Sequence, residues 1–212
     1  SNADMDRLRD LKAPDFRALT LASTFERPER GDAPGEQFRR GLERLEDAAE
    51  AAAQAGVRLI ILSDRAADAD NPPIPSLLAA AAVNRRLSDK GLRVGIGLIS
   101  ETGEAREVTH LALLLALGVS AVNPWLAFET VCSMAAGRAL SVETAPGAAA
   151  DNYVHALTKG LMKIMSEVGI STLRSYRGAQ VCEAVGLGRE VMDRYFPGIA
   201  SRVGGIGLAE IE

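Results

Sequence analysis

The chain has 212 residues, 47% of them hydrophobic and 25% charged, with a formal net charge of −4. That length and apolar share suit one soluble globular domain able to bury a real core. The 24 Lys and Arg are scattered rather than massed, which excludes an electrostatic footprint for nucleic acid.

Ser1-Asn2-Ala3 reads as a cleavage scar left by expression, outside the fold, and the start at Asp4 points to a piece of a longer protein. Arg17 to Thr24 then reads as a strand, and Gly35 to Gly56 as an Ala- and Glu-rich helix stopped by glycine. Val57-Arg-Leu-Ile-Ile-Leu62 is a short apolar, β-branched run, the pattern of a strand buried on both faces. Pro75 to Asp89 is a helix opened by proline and ended at Gly91. Arg93 to Ile99 is a third strand, Arg106 to Leu117 a third helix, Val119 to Asn123 a fourth strand and Trp125 to Ala136 a further helix.

Val108 to Phe128 carries no acid and no Lys or Arg, and a run of about 20 apolar residues invites a membrane reading. His110, Asn123 and Pro124 interrupt it, and Gly118 splits it into helix and strand. With no secretory signal pattern either, the cytoplasm is the expected location.

Strands alternating with helices imply parallel βα units with right-handed crossovers, in either a doubly wound sheet or part of a (β/α) barrel. After Pro146 the pattern changes. Thr144 to Ala150 reads as a loop, Asn152 to Val168 as a helix and Ile170 to Leu173 as a short strand. Gln180 to Val185 and Arg189 to Tyr195 read as short helices. Arg202 to Leu208 is too glycine-rich for a regular element and reads as a linker or docking segment.

Function in parallel α/β folds gathers at the carboxyl ends of strands. Here those ends are Ser23-Thr24, Ser63-Asp64-Arg65, Ser100-Glu101 and Asn123, which fall on one face. Arg65 brings a cation there, with Asp64 able to pair with it; helix capping and loop satisfaction are the simpler use of such residues. A second polar group, Arg174, Tyr176 and Arg177, follows a helix bearing Lys159 and Lys163. The thiols Cys132 and Cys182 read as buried and free, and His110 and His155 sit on helices away from any nucleophile pattern. No spacing resembles a metal site, and neither Gly-x-Gly pair opens a helix as a dinucleotide fingerprint requires.

Read together, several segments resemble the central domain of the glutamate synthase large subunit. They are Leu62-Ser-Asp-Arg65, Pro73-Ile-Pro-Ser-Leu-Leu-Ala79, Arg106-Glu-Val-Thr-His110, Val122-Asn-Pro-Trp-Leu-Ala127, Asn152 to Leu187 and Ala200 to Leu208, in the family's order. The chain departs from the family where Val83-Asn-Arg-Arg86 replaces a histidine-rich run. Thr109-His110 stands for a His-His pair, Ala116-Leu-Gly-Val119 for Gly-Tyr-Gly-Ala, and Trp125 for a tyrosine.

The resemblance implies an incomplete or modified (β/α) barrel-like domain over residues 4–208, with βα repeats at 15–140, a helix-rich part at 149–200 and a linker at 201–212. It implies a non-catalytic connector between an amidotransferase domain and an FMN-bearing synthase domain with an iron–sulfur cluster. The connector helps wall an ammonia tunnel in an enzyme that makes L-glutamate from L-glutamine and 2-oxoglutarate. No cofactor or metal is expected in this piece. The expected partners are those two domains and, for the whole enzyme, a small reductase subunit or ferredoxin. Ser63, Asp64, Arg65, Asn123, Arg174, Tyr176 and Arg177 are the expected interdomain or tunnel face, and apolar surface bared by missing neighbours favours self-association. The alternative is a free-standing (β/α) enzyme in which Ser63-Asp64-Arg65 and Arg174-Tyr176-Arg177 form one pocket for a small phosphorylated ligand.

Overall fold

The computed structural model describes residues 1–11, 16–140 and 142–212. Asp15, where the βα repeats are expected to begin, lies outside the described residues. The order is α1 (Asn2–Arg9), β1 (Ala18–Ala22), α2 (Glu36–Gln54), β2 (Leu59–Ser63), α3 (Ser76–Asp89), β3 (Gly97–Glu101), α4 (Val108–Ala116), β4 (Ala121–Asn123) and α5 (Trp125–Ala136). There follow α6 (Pro146–Glu167), α7 (Leu173–Tyr176), β5 (Glu183–Leu187), α8 (Arg189–Tyr195), β6 (Ala200–Ile206) and α9 (Leu208–Ile211).

β1 to β4 form one parallel sheet in the order β1-β2-β3-β4, with Ile60 in register with Leu19 and Leu98. A doubly wound sheet reverses its strand order at a switch point. This sheet does not, so of the two architectures the sequence left open it is an arc of a (β/α) barrel. The predicted strands are right in kind, and the third and fourth are displaced: β3 runs to Glu101 and β4 starts only at Ala121.

Side chains alternate across the pleat. Ile60, Leu62 and Leu98 face the main core with Phe38, Leu42 and Leu45 of α2 and Leu78, Val83 and Leu87 of α3. Ile61 and Ile99 point to the opposite face, where Met5 and Leu8 of α1 meet them. In a closed barrel that inward face is filled by strands from across the ring. With four strands, a short amphipathic helix does it instead. Ser1, expected outside the fold, accepts the backbone N–H of Asp4 and caps α1.

The C-terminal part holds most of the differences from expectation. α6 starts at Pro146, not Asn152, using proline at its first helical position, where the missing N–H costs nothing. Ile170 is not in a strand: its N–H closes α6 onto Met165, and α7 begins at Leu173 under a Thr172 cap. The segment expected as a helix at Gln180 to Val185 instead leads into β5, which pairs in parallel with β6. The glycine run read as a linker is therefore a strand. Gly205 serves close approach, since a Cβ there would collide with the backbone of Gly186.

Two predictions follow from the core. On helix propensity alone, Gly41→Ala in α2 stabilises by about 1 kcal/mol, but the new methyl would drive into Cβ and Cα of buried Phe25, atoms that no rotamer change can move. Overpacking of about 1–3 kcal/mol wins, and urea unfolding of G41A shows a net loss. Glu46, 6% exposed and 3.7 Å from Arg194, has its carboxyl held above the usual range by burial, against the pull of Arg194 and Arg86. Folding thus favours its protonated form. The cost is absent below the unfolded value and sets in as pH rises through the folded one. Glu46→Gln is accordingly more stable than the parent at neutral pH, and the gap closes by about pH 4.

Candidate functional site

The four strand ends gather into one buried polar cluster, built because each strand exits the core through a hydroxyl, amide or acid. Glu101, the last residue of β3, is fully buried. Its Oε2 accepts the Ser63 hydroxyl at 2.5 Å and a guanidinium N–H of Arg9 from α1, and its Oε1 lies 3.6 Å from Arg65 Nη1. Arg65 also donates to Glu129 Oε1 on α5 at 2.6 Å, and its guanidinium stacks 4.7 Å from the Trp125 ring centroid.

Asp64, also buried, accepts from Trp125 Nε1 at 2.6 Å, from Thr102 Oγ1 at 2.7 Å and from the Gly103 N–H at 2.9 Å. Asp64 therefore pairs with the indole and the loop after β3, not with Arg65 as the sequence suggested. Asn123 is buried with its side-chain oxygen unpartnered, while its carbonyl accepts from Thr102 N. The space among Ser23, Asp64, Ser76, Glu101 and Thr102 is too tight for a water molecule. These groups fix loops and helices in place. They present no open acid–base pair.

Of the candidates named from sequence, Ser63, Asp64, Arg65 and Asn123 come together here, and the other three do not. Arg174 is exposed, and Tyr176 is buried beneath α4 with Ala112, Leu115 and Ala116. Arg177 is half-buried in a cleft lined by Arg93 and Gly118, residues that precede β3 and β4. The two polar groups thus sit at opposite ends of the strands and form no common pocket. Trp125, Arg9, Thr102 and Glu129 were missed: an indole after Asn-Pro signals nothing by spacing, and Arg9 reaches Glu101 only through the fold.

His110 caps α4, its Nδ1 accepting from Arg106 N and Glu107 N at 3.1 and 3.3 Å. His155, Lys159 and Lys163 are exposed. Both cysteines are free and half-buried instead of fully buried, and burial pushes the Cys182 thiol up. Among the described residues, no group of His, Cys, Asp and Glu is arranged to hold a metal ion, and no helix is long and apolar enough to cross a membrane.

A parallel βα arc with interlocked strand ends and a helical C-terminal part defines a modified (β/α)-barrel domain. The same fold recurs in solved flavocytochrome b2 structures. One with benzoylformate has a TM-score of 0.54 at 15% identity, covering 84% of this chain and 37% of that one. Another with sulfite bound has 0.53 at 16%, covering 92% and 44%. At such identity the likeness carries the fold alone.

Residues 1–188 match the glutamate synthase central domain, and the chain belongs to that family. It is 41% identical over 211 residues to the NADPH glutamate synthase large chain of Bacillus subtilis (strain 168), covering 100% of this chain and 13% of the relative. To the NADH glutamate synthase of Schizosaccharomyces pombe it is 37% identical, covering 93% of this chain and 9% of the relative. To the ferredoxin-dependent glutamate synthase of Cyanidium caldarium it is 36% identical, covering 95% and 14%. The chain thus spans a small part of the length of the relatives it matches.

Trp125 is the single tryptophan, so its emission reports the cluster directly. Asp64→Asn replaces an acceptor facing three donors with an amide that presents its own N–H groups. A loss of about 1–3 kcal/mol is expected in denaturant unfolding, with a shift of Trp125 emission in the folded baseline.

Proposed function

We propose that this domain is a non-catalytic connector within a glutamate synthase, joining an amidotransferase domain to an FMN- and iron–sulfur-bearing synthase domain. In that setting it helps wall the path of ammonia from glutamine to the site where 2-oxoglutarate becomes glutamate. The carrying observation is the condition of the strand ends, where (β/α) enzymes keep their chemistry. Asp64, Glu101 and Arg65 are each committed to neighbours within the cluster. Family membership and the small share of each relative that the chain spans support a part that works within a larger chain. The reductant differs among those relatives by name, and ferredoxin or a reductase subunit would act on the whole enzyme, in the cytoplasm.

The face proposed to meet the passage is the outer rim of the cluster, Arg65 and Glu129 above buried Ser63, Asp64 and Asn123. In the parent-length enzyme, Glu129→Trp adds bulk at that rim without touching Glu101. Glutamine-driven glutamate synthesis is expected to fall several-fold while ammonia-driven synthesis stays near the parent rate. Equal loss of both rates removes the passage role. The 212-residue chain itself is expected to elute from gel filtration without flavin absorbance after incubation with FMN, and a yellow protein peak overturns the non-catalytic reading.

A further inference from the structure

A cleft of about 470 Å³ opens at the end of the sheet opposite the strand-end cluster, between α3, the turn before β4, α7 and the end of α8. That volume lies within the roughly 300–1,000 Å³ of small-molecule sites. Leu117, Phe196, Pro197 and Ile199 are among its apolar lining. Arg85, Arg93 and Arg177 also line it, against a single acid, Asp89, which Arg85 already holds at 2.7 Å.

Arg93 is fixed by three neutral acceptors: Nε donates to Asn84 Oδ1 at 2.6 Å, and Nη1 and Nη2 donate to the Ile96 and Gly118 carbonyls at 2.5 Å each. No carboxylate among the described residues pairs with it. Each terminal nitrogen retains a further N–H, because a guanidinium carries five donors. Arg177 has no carboxylate partner among the described residues, and its Nε is buried without an acceptor. The two cations lie near enough to oppose each other. Burial first, and Arg177 second, hold Arg93 below the usual arginine range.

Two half-buried guanidiniums with unused donors are a costly arrangement unless an anion completes it. We propose that this cleft is a binding site for a small free oxoanion, a phosphate or carboxylate compound, gripped by Arg93 and Arg177 with its apolar portion against Leu117 and Phe196. The site is separate from the strand-end cluster and independent of the connector role.

The test is calorimetric titration of the 212-residue chain with inorganic phosphate and with succinate, at ionic strength held constant with chloride. Saturable binding of at least one of them, with a rise in Tm absent in chloride alone, is expected. Arg177→Gln weakens it about tenfold or more, as loss of a charge-assisted hydrogen bond requires. Arg174→Gln, on the exposed neighbouring position, leaves it unchanged. Arg177→Lys, which keeps the charge and loses the fork, recovers only part of the affinity. No saturable heat with either anion, or equal affinity in Arg177→Gln, overturns the proposal. Binding in this chain that vanishes in the parent-length enzyme overturns the free-ligand reading, because another segment then fills the cleft.

Discussion

Glu101 is a carboxylate with no exposed surface at the end of a central strand, and the arrangement of the sheet's upper end depends on how it is satisfied. A buried charge without partners costs several kcal/mol, so the groups that answer it are positioned as a set. Arg9 arrives from α1, Ser63 from β2 and Arg65 from the loop beyond it, and Arg65 in turn holds α5 through Glu129 and Trp125. One acid thereby ties together the helix under the sheet, two strands and the helix above. It also explains how α1, eight residues long, stays in place: Met5 and Leu8 supply apolar cover for Ile61 and Ile99, and Arg9 pins the end.

The opposite end of the sheet follows a different rule. There Arg93 meets carbonyls and an amide, from Ile96, Gly118 and Asn84, and with Arg177 it leaves positive charge facing a cleft. The molecule thus has one end closed on itself by paired charges and one end open, where Arg93 and Arg177 have no acid partner among the described residues. A (β/α) enzyme normally places its open, charged surface at the carboxyl ends of the strands. In this domain that arrangement is reversed.

Much of the architecture was legible in the residues. The apolar run Val57 to Leu62 fitted a strand buried on both faces, and the helix read over Gly35 to Gly56 buries Phe38, Leu42, Leu45 and Ala49. The strand-end residues were readable for the same reason, since alternation places whatever follows each apolar run at one edge. The C-terminal part was not. β5 is only partly buried and β6 is exposed along its whole length, so no period-two burial marks them. The glycine run signalled looseness, when at Gly205 it in fact admits the neighbouring backbone of Gly186.

What the sequence determined by itself was the βα alternation, the family and the polar character of the strand ends, because these depend on local spacing and on motifs read in order. Tertiary structure decided the arc over the doubly wound sheet, since strand order is invisible to periodicity. It also decided which acid met which cation. Asp64 sits beside Arg65 in the chain, yet the strand's exit sends one to Trp125 and Thr102 and the other to Glu101 and Glu129. Arg174 and Tyr176 were sent to surface and core because residues two apart on a helical turn point to opposite sides, and Arg177, the extended residue that ends α7, turns into the cleft.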